Sequence, residues 1–115
     1  MIVWCSKVIR SLHHALRGIG YALRTQRNLQ IHLAATVLAV SLGFSQNLAD
    51  WKWCCLGLTI SLVWMAELFN SALEKLCDRV TTEQEDAIRQ VKDMAAGAVL
   101  CVALLSIFIA IMIFS

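Results

Sequence analysis

Proline is absent from the 115 residues, and only five are glycine. No proline-rich linker or low-complexity tract is present, and nothing reads as disordered or as an internal repeat. Charge is scarce as well. Lys, Arg, Asp and Glu make up 16% of the chain, against 59% hydrophobic residues, and mean hydropathy is +0.69. Soluble domains are closer to half apolar, so lipid rather than water is the expected surrounding of much of this chain. Its length allows one domain, residues 1–115.

Several functional classes are missing from the pattern. There is no G-x-x-x-x-G-K-[ST] loop, which excludes a P-loop nucleotide enzyme. No Ser-His-Asp set is evident. His13, His14 and His32 fall on different elements, so a histidine metal site is not expected. Cys5, Cys54, Cys55, Cys77 and Cys101 follow no zinc spacing and read as small packing residues. No apolar core with a small-residue cleavage site follows Lys7 and Arg10, so no removable signal peptide is expected.

What the sequence does have is three apolar spans. The first runs from Leu29 to Phe44, about 24 Å at about 1.5 Å per residue. The second runs from Trp53 to Phe69, its helix continuing to Asp78. The third, Met94 to Phe114, carries no charge and is long enough to cross a bilayer. Ser45-Gln46-Asn47 forms a polar turn, followed by Trp51 and Trp53 at an aromatic-belt position. Thr82 and Glu85 match an S/T-x-x-E capping box, which would start the last helix there. Residues 1–25 read as an amphipathic helix in the membrane interface. Val8, Leu12, Ala15, Ile19 and Leu23 line one stripe, while Lys7, Arg10, His14, Arg17, Tyr21 and Arg24 line another. That basic stripe meets either anionic headgroups or a phosphate-bearing substrate.

The cations fix an orientation. Nine of the ten lie outside the first turn, and Lys52 alone lies between the first two spans. The positive-inside rule then puts the N-terminus and the Lys75–Lys92 loop in the cytoplasm and the C-terminus outside. Three such helices bury little core alone. Ala95, Ala96, Gly97 and Ala98 permit close helix approach, so an oligomeric bundle is expected.

Glu67, Asn70, Glu74 and Asp78 recur at steps of three and four, within roughly an 80° arc at about 100° per residue. Glu67 follows the apolar run Leu62-Val63-Trp64-Met65-Ala66. A carboxylate at that depth costs free energy and marks function by default. The competing reading is a helix that surfaces, its acids solvated or paired with Lys75 and Arg79. Lys92 and Asp93 form a second set at the mouth of the third span, where such a pair taken alone is usually an interfacial anchor. Lysine neutralises phosphate oxygens, and aspartate holds Mg²⁺ or orients the lysine. Together the two sets suit Mg-dependent phosphoryl transfer to a lipid hydroxyl.

The segments Ala66-Glu67-Leu68-Phe69-Asn70-Ser71-Ala72-Leu73-Glu74-Lys75-Leu76-Cys77-Asp78 and Val91-Lys92-Asp93-Met94-Ala95-Ala96-Gly97-Ala98-Val99-Leu100 resemble the prokaryotic diacylglycerol kinase family. The stretches His14-Ala15-Leu16-Arg17-Gly18-Ile19 and Arg27-Asn28-Leu29-Gln30-Ile31-His32 resemble its undecaprenol kinase branch. The resemblance covers nearly the whole chain. It implies an all-α membrane kinase that uses ATP and Mg²⁺ on a lipid alcohol, undecaprenol or diacylglycerol, in the bacterial inner membrane. It implies a homotrimer with sites shared between protomers, and no nucleic-acid partner. Glu67 would be the general base and, with Asn70, hold the lipid. Glu74 would hold the metal, and Lys92 and Asp93 the nucleotide, with Lys7, His14, Glu83 and Glu85 also reaching ATP. The family's metal-binding glutamate is replaced here by Gln26, whose amide oxygen can coordinate but carries no charge. That departure keeps open a family member acting only as a membrane scaffold. A small proton-coupled transporter built around Glu67 is a further alternative.

Overall fold

The computed structural model describes all 115 residues as four helices: α1 Ile2–Thr25, α2 Arg27–Gln46, α3 Asp50–Val80 and α4 Asp86–Phe114. The last three are long and apolar enough to cross a membrane. At about 1.5 Å per residue α3 and α4 are each more than 40 Å long, beyond the roughly 30 Å of a bilayer's hydrocarbon. Counted from Trp51, such a thickness ends near residue 71; counted back from Phe114, it ends near Met94.

The chain turns three times, each by a different device. Between α1 and α2 the elbow is a single residue. Gln26 is extended at φ −108°, ψ 111°; its N–H donates to the Ala22 carbonyl at 2.8 Å and its carbonyl accepts from the Gln30 N–H at 3.2 Å. The Gln30 side chain crosses the break, its Nε2 donating to the Leu23 carbonyl at 2.9 Å. Between α2 and α3 the turn rests on Asn47, in the left-handed region at φ 51°, which asparagine tolerates better than most residues. Its N–H caps the carbonyls of Gly43 and Phe44.

The α2–α3 turn is packed by Trp53. Its ring lies 4.8 Å from that of Phe44, centroid to centroid, and its outer edge reaches Gly43. At the same end Lys52 Nζ donates to the Ile113 carbonyl at 3.3 Å, tying the start of α3 to the end of α4. A cation there also complements the negative end of the α4 dipole.

The third turn corrects an expectation. Thr82 and Glu85 form no capping box. Helix α4 begins at Asp86, with Glu85 as its N-cap residue and no side-chain cap. The reason is local competition: Thr81, not Thr82, turns its hydroxyl inward and accepts the Glu83 N–H at 3.0 Å. That short turn occupies the residues that a helix starting at Thr82 would need.

Helices α3 and α4 make the most extensive contact in the molecule. Even so, only ten of 115 residues are buried, while Leu38, Leu58, Leu104, Phe108 and Ile111 stand exposed. One chain therefore cannot cover its own apolar surface. That surface belongs in lipid or against other helices, and the chain is a multi-pass membrane protein.

Candidate functional site

Helix α3 carries the acids in a line from inside to outside. Glu67 is 2% exposed and is the only charged residue buried in the molecule. Asn70, one turn on, is half-buried; Glu74 and Asp78 are exposed. The eleven residue steps from Glu67 to Asp78 correspond to roughly 16 Å along the helix. The stripe thus begins just inside the apolar thickness and ends in water.

Two buried acceptor atoms in this stripe lack any hydrogen-bond partner, Glu67 Oε2 and Asn70 Oδ1. Buried polar atoms are nearly always paired, and an orphan calls for an explanation. Glu67 Oε1 is different, since His32 Nε2 of α2 lies 3.7 Å from it. In the sequence pattern alone His32 has no role. Its signal was available, as a polar residue in an apolar span, but its neighbour depends on how α2 packs on α3.

At the outer end, Lys92 Nζ meets Asp78 Oδ1 at 2.8 Å. Lys92 therefore pairs with Asp78 across the α3–α4 turn, and Glu74 lies within electrostatic reach of it. A hollow of about 340 Å³ at this end is lined by Asp78, Glu83, Glu85, Arg89 and Lys92 among others. The structure so gathers Glu83, Glu85 and Lys92. Asp93 is exposed beside Lys92.

The basic face of α1 opens elsewhere. His14, Arg17, Arg24 and Lys75 line a wide concavity with His13 and Tyr21, and no acid joins them. Lys75 donates to the Tyr21 hydroxyl and sits over its ring. That hydrogen bond, and then the lysine's charge, hold the Tyr21 phenol below its usual range. Lys7 is exposed one turn and more nearer the N-terminus and lines none of these hollows. Gln26 lines a third cavity of about 370 Å³ with Leu68, Ser71, Ala72 and Lys75. It therefore faces the side of α3 next to the acidic stripe. Within one chain Gln26 and Glu74 do not share a cavity.

No group of three or more His, Cys, Asp or Glu side chains stands at metal-binding spacing within the chain. Mg²⁺ does not require one, because it keeps waters and substrate phosphates and takes only one or two carboxylates. The exposed Glu74 carboxylate fits a Mg²⁺ that arrives with a nucleotide; the donor set does not fit a resident, fully protein-ligated metal.

The fold and the stripe define a helical membrane protein with a carboxylate site opening at one membrane face. Residues 13–114 match the family model of prokaryotic diacylglycerol kinase. The chain is 36% identical over 109 residues to an undecaprenol kinase of Bacillus subtilis, covering 95% of this chain and 89% of that one. It is 34% identical over 100 residues to a diacylglycerol kinase of Synechocystis, covering 86% of this chain and 57% of that one. The chain belongs to the prokaryotic diacylglycerol kinase family and is a lipid kinase. Neither the scaffold nor the transporter alternative gains support from these matches.

Proposed function

We propose that this chain transfers the γ-phosphoryl group of ATP to the hydroxyl of a membrane lipid alcohol, undecaprenol or diacylglycerol, at the cytoplasmic face of the bacterial inner membrane. The observation that carries the reading is Glu67: a buried carboxylate near the apolar boundary, one oxygen beside His32 and the other without a partner. A free carboxylate oxygen at that depth is where a lipid hydroxyl arrives from the bilayer and where its proton can go.

In the reaction, Glu67 Oε2 takes the hydroxyl proton as the lipid oxygen bonds to the γ-phosphorus. The bond from γ-phosphorus to the β-bridging oxygen breaks, and ADP leaves. The transition state asks for positioning and charge neutralisation more than covalent chemistry. Asn70, whose Oδ1 is also unpartnered, orients the acceptor one helical turn above the base. Lys92 and Asp93 hold the nucleotide towards water, with Glu83 and Glu85 at the same hollow and His14 and Lys7 on the basic face of α1. Mg²⁺ held by Glu74, with Gln26 as a neutral donor, would neutralise the phosphate oxygens. The N-terminus lies in the cytoplasm and the C-terminus outside, a reading that the nine cations support. Helix α1 lies in the interface, and the exposed apolar faces of α2, α3 and α4 are covered by lipid and by two further copies in a homotrimer whose sites are shared. The whole chain acts as one domain.

The test is direct. Purified protein is incubated with Mg-ATP and either undecaprenol or diacylglycerol in detergent micelles, and the lipid product is analysed. A lipid monophosphate and matching ADP are expected. No phosphorylated lipid from either acceptor, in protein of native helix content, overturns the reading.

A further inference from the structure

Glu67 has one basic neighbour within ion-pairing distance, and it is His32. The Glu67 side chain is 3% exposed and that of His32 23%, with Nε2 3.7 Å from Oε1. That is longer than a hydrogen bond, as catalytic contacts often are before substrate binds.

The surroundings leave the imidazole free for this partner. His32 lines a cavity of about 240 Å³ between α2, α3 and α4, with Thr36, Thr59, Trp64 and Ser106 as its other polar lining. All four have already used their donors. Thr36 Oγ1 donates to the His32 carbonyl, Thr59 Oγ1 to the Cys55 carbonyl and Ser106 Oγ to the Ala103 carbonyl, each at 2.7 Å. Trp64 Nε1 donates to Thr36 Oγ1 at 2.9 Å. Only the His32 ring, where the apolar cavity meets the buried carboxylate, keeps an unused N–H.

We propose that His32 is a positioning residue for Glu67: its Nε2–H fixes Oε1 so that Oε2 alone faces the acceptor hydroxyl. The inference rests on the reading of Glu67 as general base. A carboxylate turns about its last bond with little resistance. In an apolar site nothing else here would hold it. A donor on Oε1 selects one orientation and lessens the cost of burying the charge. The carboxylate in turn selects the imidazole tautomer with its proton on Nε2.

Four full-length variants test this in micelles with Mg-ATP and undecaprenol or diacylglycerol, whichever acceptor the wild type uses. They are His32→Leu, His32→Gln, Glu67→Gln and the double variant His32→Leu with Glu67→Gln. His32→Leu fills the site without a donor and should lower kcat about 10- to 100-fold, the scale for lost supporting contacts, with acceptor KM within about threefold. His32→Gln restores an N–H at similar reach and should recover most of the loss. In the Glu67→Gln background the leucine should cost nothing further, because the two residues act as a unit. His32→Met replaces the leucine variant if that one lacks native helix content. Three results would each overturn the role of His32: wild-type kcat in the leucine variant, equal loss in the leucine and glutamine variants, or a double variant slower than Glu67→Gln. Wild-type turnover in Glu67→Gln instead removes the general base itself, so the two failures are told apart.

Discussion

Lys92 and Asp78 lie fourteen residues apart in the chain and 2.8 Å apart in space, joined across the α3–α4 turn. Both side chains remain partly open to solvent, so the pair adds little to stability. In the proposed reaction the pair would hold Lys92 at the mouth of the site until a phosphate displaces Asp78. Lys92→Ala should raise the KM for ATP at least about tenfold, the loss of one charge-assisted contact. Asp78→Asn should stay active, with a thermal midpoint close to wild type. Equal inactivity of the two variants, measured by ATP-dependent lipid phosphorylation, would mean that Asp78 does more than park Lys92.

Sharing of sites between protomers can be read by complementation. Chains carrying Glu67→Gln and chains carrying Lys92→Ala, each strongly impaired alone at ATP below the raised KM, are mixed and reassembled. If one site takes Glu67 from one chain and Lys92 from another, some sites in mixed trimers regain both residues and activity returns. Zero recovery in verified mixed assemblies places both residues of a site in one chain.

In the proposed reaction Gln26 would stand near the metal. A neutral amide attracts a hard divalent cation less than a carboxylate does, and ATP phosphates supply much of the coordination. Gln26→Glu should therefore lower the Mg²⁺ concentration that gives half-maximal rate, with little change in lipid dependence. An unchanged Mg²⁺ titration would leave Gln26 only its place at the elbow between α1 and α2, where its backbone is extended.

Orientation has its own assay. In a variant lacking all five native cysteines, a cysteine placed at Gln46 should react with an impermeant reagent from outside the cell. One placed at Gln84 should react only after permeabilisation. Outside labelling at Gln84 would put the Glu67 stripe on the side without ATP.

Gly43 tests the packing of the α2–α3 turn. A Cβ built there would sit 2.6 Å from the far edge of the Trp53 ring. Alanine favours a helix over glycine by about 1 kcal/mol, yet overpacking costs about 1–3 kcal/mol. Gly43→Ala should therefore be neutral to destabilising. Adding Trp53→Leu, which removes the clash, should turn the alanine into a gain. Thermal unfolding in detergent measures both.

The three spans and the acidic stripe were legible because each depends on local pattern. An apolar run of about 20 residues crosses a bilayer whatever surrounds it, and steps of three and four put Glu67, Asn70, Glu74 and Asp78 on one side of any helix. The start of α4 was misplaced because two adjacent threonines offered the same hydroxyl, and the inward turn of Thr81 excluded the Thr82 box. Gln26 was visible as a departure from the family's glutamate, but not as the residue that breaks α1 from α2.

By itself the sequence determined the membrane environment, the number of crossings and the family, since hydropathy, helical period and the long motifs are properties of neighbouring residues. Tertiary structure alone decided the pairings. His32 is 35 positions from Glu67, and Lys92 had Asp93 next to it as a nearer candidate than Asp78. Which of these meet depends on the packing of α2 and α4 against α3, and that packing is set by side-chain shape across helices, which no local pattern encodes.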